Sequence, residues 1–373
     1  MSTEVASRTA FRVAIISAVK HDYVARGILS HRRFQATVVT DKADCPDWIH
    51  ERNQRLADEL GVPYVRGVEQ AISNHRPDVA VISSEAERHC ELSVIAAKNK
   101  LHIVQDKPMS NDVAACDELV DAVDEHHVKF MMWNRNFLPA VIQAREAVQR
   151  GDIGVVRSVH IDFYFAKDAG PPVGTADAGT APMNWLETLK EFHATGADGG
   201  VGVKPMGELQ NEAVYPFAYI HSIVNRRVER VFARATSHFH QLHRDNGVED
   251  LASVSLEMTR GTYGSICLGR IGNASHPNLG EIKIHLVGSE GSLVVSEARP
   301  EIATYHTGQT ANDFAHDRLA NENDWLLADH FANAIDTNAP TCLDVHTSRA
   351  ISATVQAALE SSRTNKVVSV THR

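Results

Sequence analysis

The chain has 373 residues, a formal net charge of −10 and 43 % hydrophobic residues. That length accommodates two domains with full cores, and the acidic balance argues against a broad nucleic-acid footprint. No apolar run approaches the roughly 20 residues of a membrane span, and the opening "MSTEVASRTA" lacks the apolar core of a secretion signal. In chain order, the first third alternates between two periods. "RVAIIS" (12–17), "QATVVT" (35–40), "DVAVIS" (78–83), "LHIV" (101–104) and "VKFMMW" (128–133) are apolar runs of strand length. Runs apolar on both faces predict parallel strands covered by helices. Helical patterns lie between them. "PDWIHERNQRLADELG" has Pro46 placed for a first turn and Gly61 placed to end the helix. "ERHCELSVIAAKNK" and "NDVAACDELVDAVDEHH" carry apolar residues three and four apart. The repeated strand–helix alternation predicts an α/β fold with a doubly wound parallel sheet.

After about Gly151 the texture changes. "VVRSVHIDFYFA" alternates as a half-buried strand does, and "VERVFARATSHFH", "LASVSLEMTRGTYGSICLGRI" and "EIKIHLVGSEGSLVVSEA" follow. They predict a second domain on a mainly antiparallel sheet. Between them, residues 167–202 form a Gly- and Pro-rich stretch of the length that functional or mobile loops have. The tail, 321–363, reads as helices split by "DTNAPTCLD". The five cysteines are scattered without a C-x-x-C, which predicts reduced thiols packed as small hydrophobes in a cytoplasmic protein.

"HIVQDKPMS" follows the fourth strand run and "MMWNRNFLPAV" the fifth. "SSEAERH" precedes them, and "NEAVYP", "GVEDLASVSLEM" and "GSEGSLVV" follow in order. Together they resemble the Gfo/Idh/MocA family of sugar and polyol oxidoreductases. That family has E-K-P, N-R-x-F-x-P, T-P-x-x-x-H and D-x-G-x-H or D-x-G-x-Y-P at these places. The resemblance runs from about Arg12 to Val370. It implies a Rossmann dinucleotide-binding domain over 10–134. It implies an α+β substrate-binding and oligomerisation domain with a large open sheet over 135–370. It further implies NAD or NADP, a small-molecule substrate bearing a hydroxylated carbon, and a homo-oligomer, dimer or tetramer, built by packing those sheets. Neither a nucleic acid nor a membrane is an expected partner.

Oxidising an alcohol requires a base for the hydroxyl proton and a group that stabilises the alkoxide. Lys107 in "QDKP" is the candidate for the second task, with Pro108 fixing the chain beside it. The resemblance places Tyr215 at the family's acid/base position; a packed core tyrosine is the competing reading. The family's Asp four residues earlier is Asn211 here, which orients a hydroxyl but cannot take its proton. Glu212 is adjacent, and neighbours on a helix point apart. His89 matches a family histidine near a helix start, with packing as the alternative. Arg135, beside Asn134, is expected to line the cleft; Lys167, His193, Arg270 and His276 are further candidates for a carboxylated or polyhydroxylated substrate. His238, His240 and His243 invite a metal reading, but no carboxylate or thiolate completes a ligand set in sequence, so no metal is predicted.

The turn after the first strand departs from the dinucleotide fingerprint. Ser17, Val19 and Asp22 occupy the three glycine places of G-x-G-x-x-G. Asp22 sets a carboxylate near a phosphate, a repulsion of about 4 kcal/mol at ~4 Å and an effective dielectric of ~20. Lys20, His21 or Arg26 can compensate it. Asp41 ends the second strand, where a carboxylate takes the adenosine ribose hydroxyls and favours NAD over NADP; Lys42 beside it leaves NADP open. The expected cofactor set is therefore Ser17, Val19, Lys20, His21, Asp41, Ser84, His89, Asp106 and Lys107. Two functions fit: an NAD(P)-dependent dehydrogenase with a remodelled phosphate loop, or a family member doing lyase, hydrolase or isomerase chemistry or acting as a binding protein.

Overall fold

The computed structural model describes residues 10–165, 206–270, 280–296, 301–304, 315–318 and 322–373. Its chain divides into two compact units.

The first unit is built on a six-stranded sheet in the order β3-β2-β1-β4-β5-β6. The strands are β1 Phe11–Ile16, β2 Phe34–Asp41, β3 Tyr64–Arg66, β4 Val79–Ile82, β5 His102–Gln105 and β6 Phe130–Met132. Every neighbouring pair is parallel. Residues 13–16 of β1 and all of β4 are fully buried, because helices cover both faces. The order reverses between β1 and β4, the switch point outside which ligands bind in such sheets.

Helices α1 Tyr23–Leu29, α2 Asp47–Leu60, α3 Val68–His75, α4 His89–Lys98 and α5 Val113–His126 make the crossovers. Local chemistry sets their ends. Pro46 stands just before the first turn of α2, and Gly61 closes it at φ 68°. Asp112 caps α5 by accepting from the Ala114 N–H at 2.9 Å. Within α1, Gly27 permits a close approach: a Cβ there would lie 2.7 Å from the Trp133 ring.

The second domain was expected to run unbroken over 135–370. The structure instead assigns residues 324–352 to the first unit. The cause is packing of helix Asn323–Thr337 beside β2: Phe331 stacks on Phe34 at 6.3 Å, Trp325 meets His31, and Asp336 holds Arg33 at 2.7 Å. Burying a Phe side chain contributes about 1.5–3 kcal/mol, more than a partly exposed ion pair does.

The second unit carries α6 Pro139–Arg150 and a seven-stranded sheet in the order β12-β11-β7-β10-β9-β8-β15. Its strands are β7 Val156–Phe165, β8 Val228–Thr236, β9 Leu251–Met258, β10 Tyr263–Arg270, β11 Gly280–Gly288, β12 Ser292–Ser296 and β15 Val368–Ser369. Only β7 and β10 pair in parallel; the other pairs are antiparallel. Ala252, Val254, Leu256 and Met258 of β9 point into the core, while Ser253, Ser255 and Glu257 alternate outward. A separate hairpin joins β13 Glu301–Thr304 to β14 Ala315–Arg318. Among the described residues no helix is long and apolar enough to cross a membrane.

Candidate active site

At the carboxyl end of β1 the chain turns through Ser17, which takes φ 63° without being glycine. Side-chain and backbone partners hold this strained turn. The Ser17 N–H donates to the Thr40 carbonyl (2.9 Å), and the Ser17 carbonyl accepts from Ser83 N–H (3.0 Å). Ala18 N–H donates to Asn53 Oδ1 at 2.9 Å, and Lys20 N–H to the Ser83 carbonyl at 3.1 Å. Val19 stands where the second fingerprint glycine would be. Its side chain is buried against Trp48 and Ile49, and its carbonyl accepts from Arg52 at 2.7 Å. The Asp22 carboxylate is answered by Arg26 at 2.7 Å, which also holds Glu59 at 2.6 Å. Asp22 thus neither caps α1 with its side chain nor stands unopposed.

Asp41 is fully buried and fully engaged. Arg88 Nη1 donates to it at 2.6 Å, Asn53 Nδ2 at 3.0 Å and the Lys42 N–H at 2.8 Å. Arg88 also binds Glu85 at 2.6 Å and 3.1 Å. Burial pushes the Glu85 carboxyl above its usual range, opposed by Arg88. Burial and the Asp41 charge push the nearby Cys45 thiol up to about 12, so it stays protonated. Asp41 was expected to meet ribose hydroxyls; here a planar guanidinium between two carboxylates has taken that role. Lys42, which had left NADP open, is paired with Glu91 at 2.7 Å.

The far side of the switch point is built differently. Asp106, just past β5, is fully buried. It accepts from Ser83 Oγ at 2.9 Å and from the Lys107 N–H at 2.8 Å, and it contacts His21 Nδ1 at 2.6 Å. Burial raises its pKa, but His21, Lys20 and His89 together outweigh burial and hold the carboxyl below the usual carboxylate range. Burial likewise lowers the His21 pKa, more than Asp106 raises it. Lys107 is buried at the same edge, and its peptide bond to Pro108 is cis. Ser84 Oγ donates to the Glu85 carbonyl at 3.0 Å.

His89, expected among the cofactor contacts, is a fully buried brace. Its Nδ1 lies 2.7 Å from the Pro108 carbonyl and its Nε2 2.9 Å from the Ser84 carbonyl. Burial pushes its pKa down to about 4, so the neutral ring donates its one N–H to one of the two carbonyls. Ser17, Lys20, His21, Ser84, Asp106 and Lys107 are therefore gathered along one edge.

The second unit gathers the other candidates. The buried Tyr215, on the short helix Val214–Tyr219, stacks on Phe163 at 5.8 Å, and the Arg135 guanidinium lies 5.6 Å over its ring. Asn211 Nδ2 donates to Glu212 Oε1 at 3.0 Å. Arg270, expected to face substrate, is buried instead: its Nε donates to Glu208 at 2.7 Å and its Nη2 to Glu212 at 2.6 Å. Two buried carboxylates recruit the cation, because uncompensated burial of either charge is costly. Strand β8 ends at Thr236, before the three histidines considered as metal ligands. His240 Nε2 instead lies 2.8 Å from the Arg270 carbonyl, and His243 Nε2 lies 3.4 Å from Glu208. Lys167, His193 and His276 lie outside the described residues.

Comparison with known proteins adds to this geometry. Residues 11–133 match the model described as "Oxidoreductase family, NAD-binding Rossmann fold", and residues 201–370 match its C-terminal alpha/beta domain. A myo-inositol 2-dehydrogenase of Thermotoga maritima is 24 % identical over 252 residues, which cover 67 % of this chain and 66 %, just under two thirds, of that protein. A 2,7-anhydro-N-acetylneuraminate hydratase of Escherichia coli is 30 % identical over 111 residues, 30 % of each chain. A scyllo-inositol dehydrogenase from Lactobacillus casei, solved with NAD(H) and scyllo-inositol, superposes with a TM-score of 0.72 at 15 % identity, covering 97 % of this chain and 99 % of that one. At that identity the likeness is one of fold.

Proposed function

The chain belongs to the Gfo/Idh/MocA oxidoreductase family, and from that premise we propose that it is a nicotinamide-dinucleotide-dependent dehydrogenase of a cyclic polyol or sugar. The observation that carries the reading is the buried Asp106 clasping His21, Ser83 and the Lys107 backbone beside the switch point. Ser84, Lys20, His21 and Lys107 suit the middle and nicotinamide end of a dinucleotide laid along this edge. The adenosine end is narrower, because Arg88 already holds Asp41. NAD suits it better than NADP: a 2′-phosphate would meet Asp41 and Glu85 with one arginine between them.

When bound, the nicotinamide supplies a hydride acceptor. The chain's own residues do the rest. The Lys107 ammonium faces the developing alkoxide and lowers its energy. Asp106 fixes the backbone that carries Lys107. His89 ties that loop to the one bearing Ser84. On the second unit, Tyr215 and Asn211 are proposed as further functional residues by their places in the family pattern, with Arg135 over the Tyr215 ring. The protein is also proposed to act as a homo-oligomer.

Fluorescence titration with NADH and NADPH tests the reading. Saturable NADH binding at micromolar concentration, tighter than NADPH, supports it. No binding of either at millimolar concentration refutes it. A second reading keeps some support from the engaged Asp41 and from the hydratase relative: a non-redox reaction in the same site.

A further inference from the structure

The buried Asp106 does more than hold a backbone. It receives His21 at Nδ1, at 2.6 Å, from a position 85 residues earlier in the chain. About a quarter of the His21 side chain, 27 %, is exposed, whereas Asp106 is fully enclosed. A carboxylate accepts and does not donate, so the ring proton sits on Nδ1 and the lone pair on Nε2. Among the described residues no side chain or backbone group takes up Nε2. The groups that face the ring are Asp106, Lys20, Lys107 and the Tyr23 ring at 4.8 Å. A base, the carboxylate that orients it and a neighbouring ammonium are the three parts of an acid–base site.

Resting on the dehydrogenase reading above, we infer that His21 is the acid–base residue of this site and that Asp106 is its positioning residue. In oxidation the substrate O–H bond breaks, its proton forms an N–H bond at His21 Nε2, and the electron pair stays on oxygen beside the Lys107 ammonium. Asp106 stabilises the resulting imidazolium without taking its proton. His21 is neutral and ready to accept near pH 7. Asn211 cannot accept a proton at all. The turn that lost its glycines has thus gained a base. A G-x-G-x-x-G loop shapes backbone around phosphate, while "SAVKHD" brings an imidazole to the same edge.

Three measurements test this. Carbethoxylation of the wild-type protein by diethyl pyrocarbonate, mapped by peptide mass, should modify His21 with a midpoint below pH 6.5 and be slowed by NADH. With NAD+ and myo- or scyllo-inositol as probes, His21→Gln should lose about 10²- to 10⁴-fold in turnover, a far larger factor than its loss of NADH affinity. Added imidazole should restore part of the turnover of His21→Ala. If His21 resists the reagent while exposed His346 reacts, the inference is overturned. Near-normal turnover by His21→Gln also overturns it, as does a loss of NADH affinity equal to the loss of turnover, which would make His21 a cofactor contact. Wild-type protein that fails to bind NADH removes the dehydrogenase reading itself, and the inference with it.

Discussion

Two buried aspartates lie on either side of the same switch point, and the fold treats them oppositely. Asp41 at the end of β2 is met by Arg88, Asn53 and a backbone N–H, and the arginine is itself shared with Glu85. Asp106 after β5 is met by an imidazole, a hydroxyl and a backbone N–H. A guanidinium stays charged at any working pH, so the Asp41 end is locked into structure. An imidazole can take up and release a proton, so the proposed proton transfer is placed at the Asp106 end. A buried carboxylate alone says little about function; the group that answers it decides.

That contrast can be broken at either end. The largest expected effect is on the locked side. Arg88→Met leaves Asp41 and Glu85 buried without their cation and should destabilise the protein by about 3–5 kcal/mol, read as a lower denaturant midpoint at unchanged slope. A shift under about 1 kcal/mol would show that the cluster is solvated in solution. On the chemical side, Lys107→Ala should lower NAD+ reduction by about 10²- to 10³-fold while NADH still binds in a fluorescence titration. Near-normal turnover would remove Lys107 from the mechanism.

Between these ends sits His89. Its folded pKa of about 4 lies below the ordinary 6.5, so the unfolded chain binds its proton first on acidification. This contribution to stability is present above about pH 6.5 and is lost as pH falls toward 4, with a ceiling of about 3 kcal/mol. His89→Gln should flatten that part of the stability–pH curve, and an unchanged slope between pH 6.5 and 4 would contradict the assignment. The smallest effect belongs to Asp22. Its pair with Arg26 is half-exposed, so Asp22→Ala should change stability by less than about 1 kcal/mol. Tighter NADH binding by that variant would show that the carboxylate opposes the phosphates.

The sequence made the first sheet legible because its strands are apolar on both faces: the runs at 12–17, 35–40, 78–83, 101–104 and 128–133 became β1, β2, β4, β5 and β6. Strand β3, three residues at a sheet edge, carries too few side chains for a period to register. The D-K-P following a buried run singles out Lys107 as a candidate. The Arg88–Asp41 clasp spans 47 residues and the His21–Asp106 pair spans 85. Such pairings are created by the strand order, and no local pattern encodes them. For the same reason the sequence does not show that Glu208 and Glu212 hold Arg270 between them. Gly27 carries no local signal, because its role lies in the nearness of Trp133, from a strand end far along the chain.

Isotope transfer tests most directly the proposed hydride transfer at the Asp106–Lys107 edge. The protein should be incubated with NAD+ and with myo-inositol or scyllo-inositol deuterated at the ring carbons. The account predicts that deuterium appears at C4 of the reduced nicotinamide, one per turnover. Conversion of the polyol with no deuterium on the dinucleotide would contradict it and assign the site to non-redox chemistry.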